Sequence, residues 1–131
     1  MSGLRFSMMA LVVPDYDQGI AYYHGALGFT LVEDTDMGGG KRWVVVDPGS
    51  GARLLLAKAS NDRQSASIGN QTGGRVGFFL ETENFAATHA RFIAQGVTFE
   101  EAPRSEPYGM VAVFSDPFGN RWDLIETRNA A

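Results

Sequence analysis

The hydrophobic and polar positions of the first half of the chain predict a strand, a helix and three more strands. An apolar run at residues 6–13 ends at a proline, which is typical of a buried strand. In the stretch that follows, Ile20, Tyr23 and Leu27 share one face of a helix, and Gly28 is placed to end it. Three strand-like runs come next, at residues 30–36, 42–46 and 53–57.

The second half predicts the same order of elements. A strand at residues 75–81 precedes a helix with Phe85 and Phe92 on its apolar face, and Asn84 is suited to cap that helix. Three further strands are predicted at residues 97–101, 110–115 and 121–126. Residues 102–109, with two prolines, are predicted to form a loop, and residues 127–131 a tail.

A constant spacing relates the two halves. Three pairs of matching residues are each 68 positions apart: Gly28 and Gly96, Gly51 and Gly119, and Leu56 and Leu124. We interpret this as a duplicated βαβββ module in one α+β domain spanning residues 1–131. The modules are predicted at residues 5–57 and 75–126, with a polar connection at residues 58–74.

Composition narrows the possible functions. A net charge of −4 on 131 residues argues against electrostatic binding to nucleic acid or to an anionic membrane. The absence of cysteine excludes disulfides, thiol nucleophiles and cysteine-ligated zinc. No apolar run is long enough for a transmembrane helix, and the short run near residue 8 lacks a cleavage site. We therefore expect a cytoplasmic protein.

Several short motifs in this arrangement resemble those of the vicinal oxygen chelate superfamily, which includes glyoxalase I, bleomycin-resistance proteins and extradiol dioxygenases. The most specific is Asp-Pro-Phe-Gly-Asn-Arg-Trp-Asp-Leu at residues 116–124; Val-Pro-Asp at 13–15, Ala-Tyr-Tyr at 21–23 and Leu-Gly-Phe at 27–29 add to it. The resemblance covers essentially the whole chain. It implies two βαβββ modules that form an incomplete barrel around a cup-shaped cavity, and a homodimer.

The resemblance also indicates where the superfamily's enzymes hold a divalent metal. Those four positions, usually His, Gln or Glu, fall on Met8, Leu55, Arg75 and Asp123. Only Asp123 is a metal-ligand type, whereas a zinc site has at least three protein ligands. We therefore predict no bound metal and no other cofactor.

Arg75 and Asp123 would be neighbours on the first and last strands of the second module. We predict a direct ion pair between them in the vacated metal position, because buried charges must be paired. The alternative is that Arg75 binds an anionic or carbonyl group of a ligand and Asp123 orients it.

Four other side chains are candidate ligand-binding residues. Trp43 and Phe79 are interpreted as core residues or as stacking walls of the cavity. Arg104 and Tyr108 lie in a predicted loop at the rim, where they form either an ordinary turn or a lid. No catalytic residue is assigned.

These observations favour a metal-independent, glyoxalase-like protein of the bleomycin-resistance type that binds a small molecule. The alternative is a lyase, isomerase or dioxygenase-like enzyme that uses the same cavity, with or without a metal. The sequence does not identify the ligand.

Overall fold

The computed structural model describes residues 3–128 and divides into two compact units, the first ending at Ile68 and the second beginning at Gly69. Residues 129–131 of the predicted tail lie outside the described residues, whereas Thr127 ends the last strand. Among residues 3–128, no helix is long and apolar enough to cross a membrane.

The first unit has the predicted order of strand, helix and three strands. Its elements are β1 (Met8–Val13), α1 (Tyr16–Ile20) with a π-helical continuation (Ala21–Ala26), β2 (Thr30–Gly38), β3 (Lys41–Asp47), β4 (Arg53–Lys58) and α2 (Asp62–Ser67). The sheet order is β1-β4-β3-β2, with β1 parallel to β4 and the other neighbours antiparallel. The predicted loop at residues 58–74 thus contains a short helix, which the Asn61 side chain caps.

The first helix packs closely on its sheet. A Cβ atom added to Gly19 would lie 3.0 Å from Leu56 and 3.4 Å from Val13, so the absence of a side chain there brings the helix onto the sheet. Asp15 is the N-cap residue of this helix, but its side chain makes no capping hydrogen bond.

The second unit repeats the βαβββ order with one strand interrupted. Its elements are β5 (Phe78–Glu81), α3 (Phe85–Ala94), β6 (Thr98–Phe99), β7 (Arg104–Glu106), β8 (Gly109–Ser115) and β9 (Arg121–Thr127). The sheet order is β5-β9-β8-β6, and β7 also pairs with β8. The prediction of one strand at 97–101 and a loop at 102–109 is therefore wrong in part. Pro103, which has no N–H to donate to a sheet, separates two short strands.

Aromatic side chains form much of the second unit's core. Trp122 stacks on Phe78 and Phe114, with ring centroids 4.8 and 5.9 Å away, and Phe92 of α3 packs edge-on against Phe114. Asn84 caps α3 as predicted, accepting a hydrogen bond from the Ala87 N–H at 3.1 Å. The two units together confirm the α+β class with two βαβββ modules, each built on an open sheet.

Candidate functional site

A cavity of about 570 Å³ opens in the first unit where two adjacent strands stop pairing. The pairing of β3 with β4 ends at Val44 and Leu56. However, β3 begins three residues earlier, at Lys41, and β4 runs two residues further, to Lys58. The unpaired ends line the cavity, whose volume lies within the range of about 300–1,000 Å³ typical of small-molecule sites.

The cavity lining combines aromatic, aliphatic and cationic side chains. Three lining residues are basic, and none of those the structure describes there is acidic. The residues are Tyr16, Gly39, Gly40, Lys41, Arg42, Trp43, Leu55, Leu56, Ala57, Lys58, Ala59, Ser60 and Gln64. Such a lining suits an aromatic or apolar ligand with a few polar groups that fix its orientation.

Arg42 holds one wall of this cavity in place. Its guanidinium donates to Asp34 through Nε and Nη2, at 3.0 and 2.8 Å, and to Asp17 through Nη1 at 2.9 Å. It also lies over the Tyr16 ring, 5.3 Å from the centroid. These hydrogen bonds lower the pKa of Asp34 and raise that of Arg42. The hydrogen bonds of Arg42 thus connect β3 to α1 and to β2.

Trp43 separates two cavities of the first unit. Besides the larger one, it borders a cavity of about 200 Å³ that Met8, Val45 and Arg53 also line. The Trp43 side chain is half-buried. Of the six candidate binding residues, Trp43 is the one that lies in the larger cavity.

Two other candidate binding residues, Asp123 and Phe79, lie on adjacent strands of the second unit's sheet. Asp123 of β9 lies opposite Phe79 of β5 and Val113 of β8, so these three side chains share a face. Phe79 is 67% exposed. Asp123 Oδ1 is buried without a hydrogen-bond partner. Burial raises the pKa of Asp123 and Glu101 adds to this rise, whereas Arg104 opposes it.

Arg104 is held by its own neighbours. It donates to Glu101 at 2.8 and 3.2 Å and to Glu106 at 2.8 Å, and these bonds raise its pKa. The Arg104 bonds lower the pKa of Glu101, which in turn accepts the Val113 N–H at 2.9 Å. Arg104 thus belongs to a hydrogen-bonded network beside β8, whereas Tyr108 is 52% exposed.

The predicted ion pair between Arg75 and Asp123 is wrong. Strand β5 begins at Phe78, and Arg75 lies exposed before it, with its carbonyl accepting a hydrogen bond from Thr72 Oγ1 at 2.7 Å. The pairing of β5 with β9 places Phe79, rather than Arg75, opposite Asp123. The predicted strand began too early, because Gly73 and Gly74, both with positive φ, form a turn before it.

The same register corrects the placement of Met8. In the first unit Leu55 pairs with Ala10, whereas Met8 pairs with Arg53. Ala10 and Phe79 therefore occupy the two positions that the sequence had assigned to Met8 and Arg75.

Comparison with known proteins shows which family the chain resembles. The sequence model described as "Glyoxalase/Bleomycin resistance protein/Dioxygenase superfamily" matches residues 5–124. The chain belongs to this superfamily.

Similar proteins span nearly the whole chain. An uncharacterized protein of Shewanella frigidimarina is 48% identical over 121 residues, which are 90% of each chain. The crystal structure of UcmS2 has a TM-score of 0.81 at 30% identity and covers 95% of this chain and 98% of its own. That of TnmS3, an antibiotic binding protein from Streptomyces sp. CB03234, has a TM-score of 0.77 at 28% identity, covering 98% and 99%.

The divalent metal of the superfamily's enzymes does not fit the residues of this member. The corrected positions are Ala10, Leu55, Phe79 and Asp123, which together supply one carboxylate. Within residues 3–128, no group of three or more His, Cys, Asp or Glu side chains is placed to hold a metal ion.

Replacing Asp123 with asparagine is expected to stabilise the protein at pH 7 by about 1 kcal/mol, the scale of a desolvated polar group. Because burial raises the pKa of Asp123 in the folded state, its contribution to stability is present at low pH and is lost as the pH rises through that pKa. The advantage of Asp123→Asn should therefore shrink as the pH falls through that pKa and vanish where the carboxyl is protonated in both the folded and the unfolded state. Urea unfolding of both proteins across this range is the measurement, and a pH-independent difference would contradict the explanation.

Proposed function

We propose that this superfamily member is a metal-independent small-molecule-binding protein of the bleomycin-resistance type, with the cavity between β3 and β4 as its ligand site. The observation that carries the proposal is the cavity itself, about 570 Å³ in volume and walled by Tyr16 and Trp43. The likeness to the antibiotic binding protein TnmS3 supports a binding role. The single carboxylate at the superfamily's metal positions supports independence from a metal.

A thermal-shift screen of small metabolites and antibiotics, run with and without EDTA, tests this function. A ligand at about 100 times its Kd stabilises a protein by about 2.7 kcal/mol, which for a domain of this size raises Tm by roughly 5–10 °C. We expect hits whose shift EDTA leaves unchanged. Hits that need added zinc, nickel, manganese or iron would contradict metal independence.

An enzymatic role is the second candidate, and the Asp123 carboxyl favours it. A carboxyl with a raised pKa beside an exposed aromatic ring is suited to proton transfer, as a lyase or isomerase requires. Mass spectrometry of each hit after incubation with the protein separates the two functions. Unchanged ligand supports binding, whereas a product that Asp123→Asn no longer forms would establish catalysis.

We also propose that the protein forms a homodimer. Both sheets have open edges, at β1 and β2 in the first unit and at β5 and β6 in the second. Leu4, Phe6 and Phe79 expose large apolar side chains. Free edges and exposed apolar groups are commonly covered by a second chain. Light scattering should give twice the chain mass of 14.2 kDa at micromolar concentration, and a monomer would contradict the proposal.

A further inference from the structure

We propose that the cavity between β3 and β4 selects aromatic ligands that carry an acidic group, and that Lys41 and Lys58 together bind that group. This inference rests on the proposed function, because it takes this cavity as the ligand site. It adds the ligand's chemical class and the residues that recognise it.

The placement of lysine in this chain is the first observation. The sequence contains two lysines, Lys41 and Lys58, beside nine arginines. Both lysines line this one cavity, although they are 17 positions apart in the sequence and lie on different strands. The fold therefore brings every lysine of the chain to one site.

The second observation is that both ammonium groups are uncommitted. Within residues 3–128, the ion pairs shorter than 4.0 Å are all formed by arginines, and no carboxylate lies that close to Lys41 or Lys58. Arg42, the third cation of the lining, is already bound to two carboxylates. The two lysines are thus the charges that remain for a ligand.

Local charge opposes the charge of the whole chain. The chain carries −4, and Asp17 and Asp34 neutralise Arg42, yet the described residues lining this cavity add two lysines and no acid. A cavity lined by one sign of charge concentrates ligands of the opposite sign. A cationic ligand would meet like charges here, and a neutral one would gain no charge-assisted hydrogen bond from either ammonium group.

The arrangement of polar and apolar groups in the cavity indicates that the ligand carries a planar ring besides its acidic group. Lys41 and Lys58 are exposed, whereas Trp43, Leu55 and Ala57 lie deeper and are half-buried. A planar ring can stack on Trp43, and its acidic group would then lie toward the unpaired strand ends, where Lys41 begins β3 and Lys58 ends β4. Stacking on an aromatic face and a charge-assisted hydrogen bond then act on the same molecule.

Three probes with one ring system and different head groups test the inference by isothermal titration calorimetry. They are 2-naphthoate, 2-naphthylmethanol and 2-naphthylmethylammonium. We expect 2-naphthoate to bind at least tenfold more tightly than the alcohol, and the ammonium compound most weakly. The double variant Lys41→Gln, Lys58→Gln should lower the affinity for 2-naphthoate to that for the alcohol and leave the affinity for the alcohol unchanged.

A matched control removes the same charge elsewhere. Arg63 on α2 and Arg75 are exposed and lie outside the cavity lining. The double variant Arg63→Gln, Arg75→Gln should keep at least half of the affinity for 2-naphthoate. An equal loss in this control would show that net charge, and not the two lysines, attracts the acid, and would overturn the inference.

Lysine-specific labelling gives a readout that does not depend on mutation. Reductive methylation with ¹³C-formaldehyde marks the two lysines and the α-amino group while keeping their charge. Both lysine methyl signals should shift on titration with 2-naphthoate. Lysine signals that stay fixed while the acid binds would overturn the inference.

The outcomes separate this inference from the proposed function. Equal binding of all three probes, with loss of affinity in a Trp43 variant, would reject acid selection and leave a ligand-binding cavity in place. If none of the three probes binds, the aromatic-acid class is rejected, and the broader thermal-shift screen still decides whether the protein binds small molecules.

Discussion

Replacing Asp116 with alanine is expected to lower the free energy of unfolding by about 3 kcal/mol, because buried donors left unsatisfied cost about 1–3 kcal/mol each. Asp116 is 5% exposed, and its carboxylate accepts the Phe118 N–H at 2.9 Å and the Asn120 N–H at 2.8 Å. It also accepts the Asn120 side-chain amide at 2.7 Å, and Asn120 is 3% exposed. Chemical denaturation in urea measures the loss.

Asp36→Ala is the matched control for this substitution. Asp36 also accepts a backbone N–H two residues on, from Gly38 at 2.8 Å, but it is exposed. Water can replace the hydrogen bond to the Gly38 N–H, so Asp36→Ala should lower the free energy of unfolding by less than about 1 kcal/mol. Equal losses in the two variants would contradict a structural role for the buried turn.

This prediction bears on the residues that carry the family resemblance. The turn at residues 116–120 uses its polar groups to join β8 to β9, with the Gly119 N–H donating to the Asp116 carbonyl at 3.3 Å. These groups bond one another, so we interpret this part of the motif as a determinant of the fold and not of a reaction. The motif therefore identifies the superfamily without identifying a substrate.

Replacing Trp43 with alanine is expected to weaken the binding of 2-naphthoate by about thirtyfold, the equivalent of about 2 kcal/mol for a central aromatic contact. Trp43 lines the cavity of about 570 Å³, so truncation would remove the indole on which the ring is proposed to stack. Trp43→Phe keeps an aromatic face and should stay within about threefold, since stacking itself supplies about 0.5–1.5 kcal/mol. Calorimetry on the three proteins measures these affinities.

Folding must be checked separately for the Trp43 variants. The ring is half-buried, and the other tryptophan, Trp122, lies in the core of the second unit. Trp122 reports on the second unit only, so the first unit is checked by the near-ultraviolet circular dichroism of the buried Tyr22 and Tyr23, which should be kept in Trp43→Ala. A folded Trp43→Ala protein that binds 2-naphthoate as tightly as the parent would contradict the proposal that this cavity is the ligand site.

Local sequence features predicted much of the fold. The alternating apolar runs identified most strands, and Asn84 and Gly28 marked helix ends that the structure confirms. The 68-residue spacing placed Leu56 and Leu124 correctly, since each pairs with an apolar residue of the first strand of its own unit. These features depend on side-chain periodicity and on backbone conformations that a single residue type favours.

The candidate site was harder to predict from the sequence. It depends on the register between neighbouring strands and on where the pairing of two strands ends. An early start for β5 placed Arg75 opposite Asp123, although the glycine turn at 73–74 delays the strand. The larger cavity arises where the pairing of β3 with β4 ends, which no local motif marks. Lys41 and Lys58 were missed as site residues; the signal that was available is that they are the chain's two lysines.

A crystal structure of the protein grown with 2-naphthoate in EDTA tests the central claim most directly. The account predicts the naphthalene ring against Trp43 between β3 and β4, its carboxylate beside Lys41 and Lys58, and no metal peak in anomalous difference maps. A ligand seated at Asp123, or one bound only after a divalent metal is restored, would contradict it.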